Sequence, residues 1–215
     1  VSFRMDKLPE FLAIQTELEE LTIDVRCYSD LFNEETLNAV PFRLRSLDLS
    51  DMKMCAAEGF NDRRNFSHFL ANHRQTLEYL KVRTIDDDAA EVLNECEKLT
   101  AIECWTISEL FVNTKNIKSL RVHQYDDFLV QQFPTLKTLG ITTSSDLIFE
   151  EFFQNLENLS ISSAKCHELN IPSVKWLRLE SLIEPTMRPF RFEGSKIEEL
   201  TIQDKKESPE WLIDY

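Results

Sequence analysis

Leu136-Lys137-Thr138-Leu139-Gly140-Ile141 returns twenty residues later as Leu156-Glu157-Asn158-Leu159-Ser160-Ile161. Eighteen residues further on it returns as Val174-Lys175-Trp176-Leu177-Arg178-Leu179. In each stretch an aliphatic side chain fills positions one, four and six. Alternate side chains of a strand share a face, so positions four and six enter one core together while three and five point away. One such stretch cannot bury its own apolar edge, whereas a stack of them makes a continuous core.

Working outward, the pattern recurs with Ile, Val or Cys standing for Leu. It is found at Leu18/Leu21/Ile23, Leu44/Leu47/Leu49, Leu77/Leu80/Val82, Leu99/Ile102/Cys104 and Ile117/Leu120/Val122, and again at Ile197/Leu200/Ile202. That makes nine copies, with first positions 18 to 33 residues apart. Their mean spacing, about 22, lies within the roughly 20–29 residues of a leucine-rich repeat. The expected fold is α/β: a leucine-rich-repeat solenoid with a curved, parallel concave sheet and short irregular convex helices and turns. Residues 1–215 are read as one domain of about nine repeats. Val1 and Phe3 fit positions four and six of a truncated tenth repeat, so the chain is expected to be part of a longer one. Trp211, Leu212, Ile213 and Tyr215 are expected to seal the last repeat.

The connecting segments supply the convex side. Phe66, Phe69 and Leu70 share a helical face within 65–73, and 88–96 reads as a helix with an acidic start. Phe149-Glu150-Glu151-Phe152-Phe153 repeats that pattern, while Leu169-Asn170-Ile171-Pro172 reads as an extended turn. His68 and His73 are expected on the polar face of the first helix.

Several leucine-rich-repeat classes carry Asn three residues after the last motif position. Here Arg26, Met52, Ile85, Ile107, Tyr125, Ser144, Ala164, Leu182 and Lys205 stand there. The irregular spacing resembles the degenerate repeats of animal F-box/leucine-rich-repeat proteins. So do the phrases Phe66-Ser67-His68-Phe69-Leu70 … Leu77-Glu78-Tyr79-Leu80 and Leu169-Asn170-Ile171-Pro172-Ser173-Val174-Lys175-Trp176-Leu177. That resemblance implies a substrate-recognition part of a ubiquitin ligase, with a protein partner on the concave face. It also implies a Skp-type adaptor and cullin engaged through an upstream F-box, and a cytoplasmic or nuclear location. A leucine-rich-repeat adaptor or scaffold without a ligase link is the alternative.

Composition narrows the field. The 215 residues carry 24 Lys and Arg against 38 Asp and Glu, a net charge of −14, which argues against a nucleic-acid partner. Gly59, Gly140 and Gly194 are too scattered for a phosphate-cradling loop. No stretch approaches the ~18 apolar residues of a membrane span. Cys27, Cys55, Cys96, Cys104 and Cys166 form no CxxC pair, the spacing of neither a zinc site nor a disulfide framework. Cys104 takes a core position and is expected to be an inert thiol. His68 and His73 are five apart, unlike the pair of a zinc helix. Asp86-Asp87-Asp88 lacks the alternation and glycine of a calcium loop and reads as a turn that caps the next helix. No catalytic residue, metal site or cofactor is expected, and the chain is read as a non-enzyme.

The outward positions supply the candidate site. Tyr79, Lys81, Arg83, Glu103, Trp105, Arg121 and His123 fall on successive strands near the centre, with Trp176 and Arg178 as a second anchor. The first two repeats place three acids and no base on this face, while the next three place three bases and one acid. Aromatic and Arg side chains are frequent interface anchors. The centre is expected to grip an acidic or mixed-charge protein segment. Gly140 is read as a bare spot on the wall.

Overall fold

The computed structural model describes residues 8–23, 40–49, 60–123, 133–142, 147–148, 155–162, 169–170, 174–180 and 197–203. The chain forms two compact units, Val1–Ile117 and Lys118–Tyr215.

The first unit contains α1 (Leu8–Ala13), β1 (Glu20–Thr22), β2 (Ser46–Asp48), α2 (Phe60–His73), β3 (Tyr79–Lys81), β4 (Thr84–Ile85), α3 (Asp87–Asn94), β5 (Ala101–Cys104) and β6 (Thr106–Ile107). Strands β1, β2, β3 and β5 pair in that order, all parallel, and β4 and β6 make a separate parallel pair. Motif positions align across the ladder, with Leu21 opposite Leu47, Leu47 opposite Leu80, and Leu80 opposite Ile102. The second unit contains β7 (Ser119–Val122), β8 (Thr138–Thr142), β9 (Leu147–Ile148), β10 (Asn158–Ser162), β11 (Leu169–Asn170), β12 (Trp176–Glu180) and β13 (Glu199–Gln203). Here β7, β8, β10, β12 and β13 pair in chain order, again parallel, and β9 pairs with β11. Each unit is a parallel β-solenoid, and the described helices, which make the class α/β, belong to the first.

The core is the aliphatic register. From the second repeat to the eighth, all three motif positions are buried. At β1 and at β13 the packing loosens: Leu21 is half-buried and Leu200 is 40% exposed. A rung with a neighbour on one side covers only half of its apolar edge.

A backbone device repeats with the side chains. The amides of motif positions two and three both donate to the carbonyl of position two in the preceding rung. Arg45 and Ser46 donate to Glu19, Glu78 and Tyr79 to Arg45, and Glu157 and Asn158 to Lys137. Distances run from 2.7 to 3.1 Å over seven rungs. The shared carbonyl turns the incoming chain into the strand whatever side chain stands at position two. Charged side chains there form short ladders. Arg45 bonds Glu78 through two nitrogens at 3.1 Å. Lys137 Nζ lies 2.9 Å from Glu157, whose carboxyl it holds below the usual range, with help from Lys175. Such exposed pairs contribute little stability.

Two expected helices are present, with α2 starting earlier than expected and α3 covering Asp87–Asn94. Asp86 caps α3 as expected, its side chain accepting from Ala89 N–H at 3.0 Å. α3 packs on α2 through the buried Ala89, Ala90 and Leu93. One expectation is corrected. Phe66, Phe69, Leu70 and His73 stand at i, i+3, i+4 and i+7, so His73 lies on the buried stripe of α2 rather than its polar face. Helix α1 was not expected; Pro9 sits in its first turn, where a missing N–H costs nothing. Leu169–Asn170 is extended as expected and forms β11. The truncated repeat at Val1 and Phe3, the helix at 149–153 and the seal at 211–215 lie outside the described residues.

Candidate partner-binding faces

The nine candidate residues divide between the units. In the first, position three carries Glu20, Ser46, Tyr79 and Ala101, and position five carries Thr22, Asp48, Lys81 and Glu103. Lys81 Nζ lies 3.7 Å from Asp48 Oδ2 and 3.4 Å from Glu103 Oε1. The lysine therefore bridges two acids, and this trio is net negative. Arg83, just beyond β3, is an exposed cation beside this trio. Its guanidinium carbon stands 5.5 Å from the centre of the Trp105 ring, a cation–π geometry. The Trp105 amide donates to the Arg83 carbonyl at 2.8 Å, which sets the two residues on adjacent rungs. Trp105 remains 50% exposed. Tyr79 is half-buried beside Ala101.

The second unit presents Ser119, Thr138, Asn158, Trp176 and Glu199 at position three, and Arg121, Gly140, Ser160, Arg178 and Thr201 at position five. The residues after position six are His123, half-buried at the end of β7, then Thr142, Ser162, Glu180 and Gln203. Gly140 is not a bare spot. A Cβ there would stand 2.9 Å from Arg121 Nε and 3.0 Å from Arg121 Cγ, so the arginine lies over the glycine and buries it. Arg178 is also engaged: Nε meets Glu180 Oε1 at 2.5 Å and Nη2 donates to Gln203 Oε1 at 2.9 Å. Trp176 is 41% exposed on the same strand.

Behind these faces the chemistry is structural. His73 is wholly buried, stacked on Phe42 at 5.7 Å and edge-on to Phe69 at 4.5 Å. Its Nδ1 accepts the Leu44 N–H at 3.2 Å, so the proton belongs on Nε2, which has no partner. Burial, then the Arg43 charge, lowers its pKa to about 4. Burial likewise raises the Cys96 thiol to about 11 and the Cys104 thiol to about 12, so both stay protonated and unreactive. Among the described residues, no group of three or more His, Cys, Asp or Glu is placed to hold a metal ion. Nor is any described helix long and apolar enough to cross a membrane.

Register alone could have placed Asp48 beside Lys81, since both occupy position five. Arg121 over Gly140 was also legible as an opposed pair, once side-chain length is considered with period. Comparison with protein-family models, curated proteins and solved structures finds no match.

Proposed function

We propose that the chain is a leucine-rich-repeat module whose outward sheet face holds a segment of a partner protein. The observation that carries this reading is the pair of half-exposed tryptophans, each with an arginine on the same face: Trp105 under Arg83, and Trp176 beside Arg178 on β12. A tryptophan offers on the order of 200 Å² of surface. At roughly 25 cal/mol per Å², covering the exposed half contributes about 2 kcal/mol to association for each ring. The nine-copy register and the shared position-two carbonyl support the leucine-rich-repeat assignment. In this reading the chain presents a substrate and performs no catalysis itself.

The resemblance to F-box/leucine-rich-repeat proteins extends the proposal to the substrate-recognition part of a ubiquitin ligase, joined to a Skp-type adaptor and cullin. Copurification of the full-length protein tests that extension. Recovery of the adaptor with the protein supports it. A protein that binds its partner through this face but never the adaptor is a scaffold or regulatory adaptor instead. Folded R83A/W105A and W176A/R178A variants that retain undiminished partner binding would sink the binding-face reading itself.

A further inference from the structure

We infer that the loop 108–113, on the side of the first unit that carries α3, docks a basic segment of a partner protein around an apolar anchor. This surface is separate from the outward sheet face, and the inference does not rest on the binding reading given for that face. The loop follows β6, and α3 holds its backbone. Asn94 Nδ2 donates to the Leu110 carbonyl at 2.9 Å, and Asn94 Oδ1 accepts from the amides of Val112 and Asn113 at 2.8 and 3.0 Å. Ser108 Oγ donates to Asp87 Oδ1 at 2.6 Å and accepts from the Leu110 amide at 3.0 Å. Phe111 fixes the middle of the loop in the core. With Phe111 turned in, its two neighbours turn out: Leu110 is 51% exposed and Val112 65%. A loop already ordered in this way loses little freedom when a partner covers these two side chains.

The charge around this pair selects the occupant. From Asp86 to Lys115 the full sequence carries eight Asp and Glu against Lys98 and Lys115, and every residue of that stretch is described. Some of these acids are engaged elsewhere. Glu95 pairs with Arg74 at 2.8 Å, Glu103 lies beside Lys81 on the sheet face, and Asp86 caps α3. Glu91 and Glu109 are exposed and have no ion-pair partner among the described residues. Both border the apolar pair. Glu109 directly precedes Leu110. Glu91 stands four residues after Asp87 and three before Asn94, the two α3 residues that bond the loop, so it shares their helix face. A segment that lays a Leu, Ile or Phe on Leu110 and Val112 brings its flanking Lys or Arg within reach of both carboxylates. An acidic segment meets repulsion there. Exposed charge pairs add little energy each, so the carboxylates choose the sign of the partner while the apolar contact supplies most of the affinity.

Phage display of short random peptides tests this, with each selection on the folded protein preceded by depletion on the L110S/V112S variant. Surviving peptides are expected to be rich in Lys and Arg and to carry a large apolar residue. A synthetic copy is expected to bind at least about tenfold more weakly to L110S/V112S. It should bind several-fold more weakly to E91Q/E109Q and with unchanged affinity to R83A/W105A. All four loop and helix changes lie on the surface, and the glutamine pair keeps the test decisive if the serine pair does not fold. Survivors without basic enrichment, or binding untouched in E91Q/E109Q, overturn the inference, as does the failure of any peptide to survive depletion. Weaker binding to R83A/W105A with L110S/V112S unaffected assigns the peptide to the sheet face, which overturns this inference and supports the reading of that face. Sedimentation in which the wild type associates with itself and L110S/V112S does not also overturns it, in favour of a second copy of the chain as the occupant.

Discussion

Arg121 lies across Gly140, the residue opposite it on the neighbouring strand, and a methyl group at the glycine would stand 2.9 Å from the arginine Nε. The glycine is thus a bed for a cationic arm, and the two act as one element of the face. Gly140→Ala pushes against a flexible side chain rather than backbone, and Ala is better suited to a strand than Gly. Stability in urea is expected to stay within about 1 kcal/mol of the wild type. Unfolding midpoints of the two proteins in urea check that number.

His73 makes stability depend on pH. Its pKa falls from an ordinary 6.5 to about 4 on folding, so between those values the unfolded chain takes up a proton that the folded chain refuses. The contribution is complete above about pH 6.5, is lost as the pH falls toward 4, and is fully lost below that. A shift of that size amounts to about 3 kcal/mol. Urea unfolding at pH 7.5 and 4.5 is expected to show a larger loss for the wild type than for His73→Phe. The variant should start lower at pH 7.5 by about 1–3 kcal/mol, because the Leu44 N–H loses its acceptor.

Asn113 closes the end of α3. Its Nδ2 donates to the Leu93 carbonyl at 3.0 Å and the Cys96 carbonyl at 2.9 Å, while Asn94 Oδ1 accepts from the amides of Val112 and Asn113. Asn113→Ala is expected to cost about 1–2 kcal/mol, as the helix-end carbonyls lose their donor. Thermal unfolding measures it, with the neighbouring exposed change Lys115→Ala as a control.

Cys96 and Cys104 are buried, with thiol pKa values of about 11 and about 12. Both are expected to resist alkylation at pH 8 in the folded protein and to react once urea unfolds it. Peptide mapping by mass spectrometry reads the two positions separately.

Much of the fold was legible because burial follows a fixed period. Leu44, Leu47 and Leu49, like Leu177 and Leu179, sit in the core where the register puts them. His73 was misplaced because residue polarity was weighed above its seven-residue distance from Phe66. The shared carbonyl at position two left no trace in the residues, since the backbone makes that bond for Arg45 and Thr100 alike. At the candidate faces, the sequence identified which side chains point outward but not which of them satisfy one another. Lys81 is spent between Asp48 and Glu103, and Arg178 is steered by Glu180 and Gln203. Those pairings depend on where flexible side-chain ends come to rest, which no periodicity encodes.

Hydroxyl-radical footprinting tests the central claim, that the outward sheet face binds protein, most directly. The half-exposed rings of Trp105 and Trp176 report the face, and the exposed His68 reports the outer surface of α2. With partner bound, oxidation of at least one tryptophan is expected to fall severalfold while His68 is unchanged. Full oxidation of both tryptophans in the complex, with His68 protected instead, would contradict the account.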